Sequence, residues 1–144
     1  MSGYIYTLNG GSIYWKSFKQ HTVADSTCEM KYITASDAAK EAMWLWKFIN
    51  ELEVAPSLDS PILLYCDSTN VIAQAKEPKS HQWIKHILHR YHLIREIMDR
   101  SDVEVLQKIN EKENLTDPFT KALGVKEFED YKSKMDIWYY TDWL

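Results

Sequence analysis

Hydrophobic and polar positions change period several times along this chain, and each change marks an element. Residues 3–8 (Gly-Tyr-Ile-Tyr-Thr-Leu) are rich in β-formers and stop at Asn9-Gly10-Gly11, which predicts a strand, a tight hairpin turn and a second strand from Ser12 to Phe18. Polar residues 19–25 interrupt the pattern. Ser26-Thr27-Cys28-Glu29 then fits a capping box, in which the Ser26 hydroxyl takes the Glu29 amide and the Glu29 carboxylate reaches back to the Ser26 amide. A long helix follows, with Tyr32, Ala35, Ala39, Ala42, Met43, Trp46 and Ile49 as its apolar stripe. Residues 56–61, bounded by prolines, end it. Ile62-Leu63-Leu64-Tyr65-Cys66 is a continuous apolar run of the kind found in a strand buried on both faces.

Beyond Asp67 the pattern predicts a short helix over 68–76 closed by Pro78, and a longer one over 82–98. Val103 to Ile109 alternates as a strand does, with Val103, Val105 and Ile109 on one face. Asp117-Pro118 matches a helix start, Asp as N-cap and Pro at the first helical position, and Gly124 would close that helix. The end, 137–144, is an aromatic-rich tail with Trp138, Tyr139, Tyr140 and Trp143 and no clear period. This order of strands and helices predicts an α/β layered domain with a mixed sheet.

Composition narrows the class. With 144 residues, 45% hydrophobic and 26% charged, the chain has the material for one core, read as a domain over 1–136 followed by the tail. Two cysteines, Cys28 and Cys66, without an N-terminal apolar signal stretch argue for free thiols in a reducing compartment, hence an intracellular protein, cytoplasmic or nuclear. No apolar run approaches the roughly 20 residues that cross a bilayer, so no membrane partner is expected. A net charge of −4 supplies no global attraction to nucleic acid. Locally, Lys76, Lys79, Lys85, Arg90 and Arg95 stand against Glu77 alone, a patch of +4 interleaved with His81, His86, His89 and His92. Such a run is either a solvated helix face or a phosphate-binding footprint. His86, His89 and His92 are three apart, which spreads them over two helix faces and disfavours a zinc cage.

Two aspartates stand where α/β proteins place chemistry. Asp67 directly follows the apolar strand and Asp117 begins a helix after the last one; both are candidate metal ligands, and both are also accounted for as cap or turn residues.

Several motifs, in order, carry a resemblance. Ser2-Gly3-Tyr4, the Gly10-Gly11 hairpin with Trp15-Lys16-Ser17, Thr22-Val23-Ala24, Ser26 to Tyr32, Ala39 to Leu45, Tyr65-Cys66-Asp67, His81 with Lys85-His86-Ile87, Arg90 to Glu96, and Asp117-Pro118-Phe119-Thr120-Lys121 are similar to the ribonuclease H domain of copia-type retrotransposon Pol polyproteins. The resemblance covers nearly the whole chain. It implies a ribonuclease H-like mixed sheet flanked by helices, and an endonuclease that hydrolyses the RNA strand of an RNA/DNA hybrid with two Mg²⁺ or Mn²⁺ ions held by an Asp, a Glu and two further Asp residues.

On that pattern Asp67 and Asp117 take the third and fourth ligand positions. The first Asp belongs to a central strand before the Ser-Gly-Tyr motif, which this sequence, starting at Met1, does not include. The Glu position is Lys31. Glu29 is no substitute, since two residues along a helix turn about 200° around its axis. Two divalent ions repel unless carboxylates surround them, so the resemblance also implies a pseudoenzyme that has not kept its metals. Lys31 either sits beside Asp67 and Asp117, supplying the positive charge a metal would, or extends into solvent. Three readings stay open: a residual nuclease, a non-catalytic binder of hybrid or other nucleic acid through Lys76, Lys79, Lys85, Arg90 and Arg95, and a relic or interaction module that self-associates through open strand edges.

Overall fold

The computed structural model describes residues 1–19, 27–53, 61–76, 85–100 and 103–138; of these, the side chains of 85–89, 91, 98 and 103–106 are not described. The chain divides into two compact units, one of residues 1–23 with 113–144, the other of residues 24–112.

The first unit begins with a hairpin of β1 (Ser2–Leu8) and β2 (Gly11–Phe18), paired antiparallel. Asn9 and Gly10 both have positive φ, 52° and 86°, which the tight turn between right-twisted strands requires and which Asn and Gly tolerate best. A register shift between Tyr6 and Thr7 lets Thr7 pair with Ser12. Alternation places Tyr4, Tyr6, Tyr14 and Phe18 on one face, with ring centroids 5.9–6.5 Å apart. On the opposite face, α4 (Asp117–Thr120) lies over Gly3 so closely that a Cβ there would meet Phe119 Cβ at 2.8 Å. Ser17 fixes the same approach by donating its hydroxyl to the Phe119 carbonyl at 2.7 Å.

Helix α5 (Val125–Lys134) completes this unit, and Ser12 ties the hairpin to it by donating its amide and its hydroxyl to the Met135 carbonyl. The periodicity expectations above do not include α5. Its signal was nonetheless present: Tyr131 and Met135, four residues apart, are both buried, Glu127 stands in the first turn and Lys132 and Lys134 in the last. Gly124 does not close α4 as expected; with extended backbone it is the N-cap of α5, and α4 already ends at Thr120.

The second unit is built on α1 (Thr27–Glu51), 25 residues long. The capping-box partner Ser26 lies outside the described residues; Glu29 is buried in the first turn. The buried stripe is Tyr32, Ile33, Ser36, Ala38, Ala39, Ala42, Leu45 and Ile49, so it includes Leu45 where Trp46 was expected and leaves Ala35, Met43 and Trp46 at the margin. Small residues at 38, 39 and 42 let neighbouring elements approach this helix closely. Against it pack β3 (Ile62–Cys66), α2 (Thr69–Lys76), α3 (Lys85–Asp99) and β4 (Val103–Lys108), with Val71, Ile94 and Ile97 sealed in the core.

Strands β3 and β4 pair in parallel, as a crossover through helices requires. The described residues therefore hold an antiparallel pair and a parallel pair, two strands each, within an α/β architecture. Strand β3 is not buried on both faces: Leu64 is buried, whereas Leu63 and Tyr65 are 41% and 55% exposed. Helices α1 and α2 contact this strand, and the apolar run reads the same whether one face or two is covered.

Candidate functional site

At the carboxyl end of β3 the chain turns at Asp67 before entering α2, and three groups shape the environment of that residue. Lys31, on the second turn of α1, brings its Nζ to 3.0 Å from Asp67 Oδ1. Lys108, which ends β4 and pairs with Cys66 in the ladder, donates its ammonium to the Asp67 main-chain carbonyl. Cys66 lies between, its Sγ accepting the Ser68 amide at 3.4 Å. Burial pushes the Cys66 thiol above its ordinary pKa and the adjacent Asp67 adds to this, while the Ser68 hydrogen bond and the two lysines pull it down. The thiol thus stays protonated and is a poor nucleophile. Cys28 is also a free thiol and leans on Gln74 Oε1 at 3.8 Å.

Of the two arrangements open for Lys31, the ammonium stands beside Asp67 and its side chain is still 43% exposed, against 22% for Asp67. A pair this open is screened and contributes little to stability. Its chemical effect is larger, because the ammonium occupies a coordinating oxygen of the carboxylate.

Asp117, in the other unit, was expected to cap α4. The cap position is instead Thr116, which makes no side-chain cap; its hydroxyl donates to Asn114 Oδ1 at 2.8 Å in a local turn. Asp117 is the first helical residue. One of its oxygens, Oδ2, accepts from Lys121 Nζ at 2.8 Å and from the Tyr131 hydroxyl at 3.3 Å, and its side chain is 13% exposed. Burial raises the Tyr131 phenol above its ordinary range, and the neighbouring carboxylate raises it further.

The basic positions fare differently from one another. Arg90 is held by Asp37 of α1 at 2.6 Å, Arg95 is half-buried, and Lys76 is exposed at the end of α2. Lys79 and His81 lie outside the described residues, as do the side chains of Lys85, His86 and His89; His92 is exposed. Among the described residues no three His, Cys, Asp or Glu side chains cluster so as to hold a metal ion. At Asp67 the Lys31 ammonium stands against one of the two carboxylate oxygens that a cation would use.

Sequence reasoning missed Lys108, Asp37 and Tyr131. Only the last had a local signal, its place on the stripe of α5; the other two reach their partners across the fold.

Comparison with known proteins gives the class. The chain is 41% identical over 128 residues, 89% of its length, to the retrovirus-related Pol polyprotein from transposon TNT 1-94 of Nicotiana tabacum. It is 29% identical over 136 residues, 94% of its length, to those from transposons RE1 and RE2 of Arabidopsis thaliana. Its homologues are thus copia-type retrotransposon Pol polyproteins, and the match covers most of the chain. The chain spans about 9% of the length of these curated relatives. No family model matches the sequence. No solved structure matches it. No helix among the described residues is long and apolar enough to cross a membrane.

Proposed function

We propose that this chain is the ribonuclease H-like segment of a copia-type Pol polyprotein, and that it has lost two-metal hydrolysis of the RNA strand in RNA/DNA hybrids. The observation that carries the loss is the Lys31 ammonium 3.0 Å from Asp67 Oδ1. Two divalent ions held about 4 Å apart need surrounding carboxylates to offset their repulsion. Here the helix that the resemblance gives a Glu presents a cation, and that cation is already paired with an aspartate the resemblance assigns to the metals. A divalent ion would have to displace the ammonium and then share the space with it. Asp117 keeps the character of a ligand, a carboxylate held by a phenol and an exposed lysine.

The test uses the chain itself and Lys31→Glu. Backbone amides near Asp67 are followed by nuclear magnetic resonance during titration with Mn²⁺, and cleavage of a labelled hybrid is measured with Mg²⁺ and with Mn²⁺. The chain should show neither Mn²⁺ broadening at Asp67 nor cleavage, and Lys31→Glu should gain the broadening. Cleavage by the unaltered chain, abolished in Asp67→Asn, would overturn the proposal.

A further inference from the structure

Asp67 faces two cations. Lys31 reaches its carboxylate from α1 and Lys108 reaches its main-chain carbonyl from the end of β4, while Asp67 contributes the single negative charge of the group. The local balance at the carboxyl end of the parallel pair is therefore +1. Each ammonium has three N–H donors. One donor of each is engaged at Asp67, and both side chains are exposed. Ligands of α/β units collect outside the carboxyl ends of parallel strands, which is where these two lysines converge.

From this geometry we infer that the Lys31–Asp67–Lys108 cluster is an anion site that takes a phosphate group directly between the two ammonium groups, with no metal between protein and ligand. Lysine suits the task as a compact charge on a flexible stem, so two stems rooted on either side of one residue can close on a single phosphate. Asp67 is a positioning residue in this site. It gathers both stems and, by competing for their charge, keeps the affinity moderate. The inference deepens the proposed function, since the place where the resemblance puts cations would take the phosphate itself.

The sign of one substitution separates the two chemistries. In a metal site Asp67→Asn removes a ligand and weakens binding; in an anion site it removes a competing charge and strengthens it. Amide shifts of Lys31, Asp67 and Lys108 in the full chain would be followed in two arms, one with inorganic phosphate and one with a short oligothymidine. We expect saturable shifts confined to these residues, weakened about fivefold by Lys31→Ala and by Lys108→Ala and tightened by Asp67→Asn, as about 1 kcal/mol per contact implies. A response to phosphate alone assigns a free phosphate ligand; a response to the oligonucleotide assigns a nucleic-acid backbone. No saturable shift in either arm, indifference to both lysine substitutions, or weaker binding in Asp67→Asn would overturn the inference. If the chain also fails to cleave hybrid, the proposed function survives that failure, so the two ideas fall separately.

Discussion

Asp67 and Asp117 each have a lysine within 3.0 Å, yet the two regions hold their aspartates in opposite ways. Asp67 is paired across the fold, by residues 36 and 41 positions away, and the pairing depends on α1, β3 and β4 being assembled. Asp117 is paired from within its own segment, by Lys121 one helical turn on and by Tyr131 on the next helix. Lys121 is rooted one turn from the aspartate it pairs with, whereas Lys31 and Lys108 reach Asp67 from elements other than its own. The two aspartates therefore differ in where their counter-charge is rooted.

The largest effect that would sharpen this contrast concerns the packing beneath each region. In the second unit Ile94 is fully buried on α3, and Ile94→Ala should cost about 3 kcal/mol in chemical denaturation, from lost transfer energy plus a cavity. In the first unit Gly3→Ala should cost about 2 kcal/mol, because its Cβ would stand 2.8 Å from Phe119 Cβ and 3.2 Å from the Lys16 carbonyl oxygen, and the hairpin and α4 would have to part. A Gly3→Ala chain of unchanged stability would show that α4 yields, and the tight seating of Asp117 beside the hairpin would lose its support.

The same contrast governs how much could be read in the sequence. Short-range chemistry was legible: Asn9-Gly10 announced the turn because its positive φ values are a local demand, and α1 announced itself by its period. The α/β class followed from the order of elements. Less legible was anything decided by a distant partner. The run at 62–66 could not reveal that Leu63 and Tyr65 face outward, since an apolar strand looks alike with one face covered or two. Asp117 looked like an N-cap, but Thr116 takes that position and Asp117 is the first helical residue. Lys108 gave no sign at all, because its role arises only when β4 lies in register beside β3.

Alkaline titration should separate the two regions by onset. Both Cys66 and Tyr131 have raised pKa values in the folded chain, so each keeps its proton at a pH where the unfolded chain has lost it. Stability from each is complete below the unfolded value and is lost as pH rises through the folded one. The Cys66 contribution should begin to fall above pH about 8.5 and that of Tyr131 above about 10. Tyr131→Phe should remove the later loss and cost about 1 kcal/mol at neutral pH through the hydrogen bond to Asp117, while leaving the earlier loss in place. If Tyr131→Phe leaves the limb above pH 10 unchanged, the phenol is not the group held by burial and Asp117.

The smallest effect bears most directly on the comparison. Lys31→Ala and Lys121→Ala each remove an ammonium from an aspartate, and on exposure alone neither should matter much, since the side chains are 43% and 48% exposed. The Lys121 pair should give about 0.3–0.5 kcal/mol, as i,i+4 pairs do, in a double-mutant cycle with Asp117→Asn. The Lys31 pair should give somewhat more, up to about 1 kcal/mol with Asp67→Asn, because two assembled elements already fix its ends and less side-chain entropy is lost in forming it. Raising salt to 1 M shortens the screening length to about 3 Å and should reduce both couplings. A coupling for Lys31 no larger than that for Lys121 would place the two aspartates on an equal footing, and the proposed exclusion of divalent ions from Asp67 would then rest on the mere presence of a positive charge near it. A larger coupling for Lys31 locates the difference in the scaffold, where a cation rooted on α1 holds an aspartate rooted on β3 and a competing ion must separate them before it can bind.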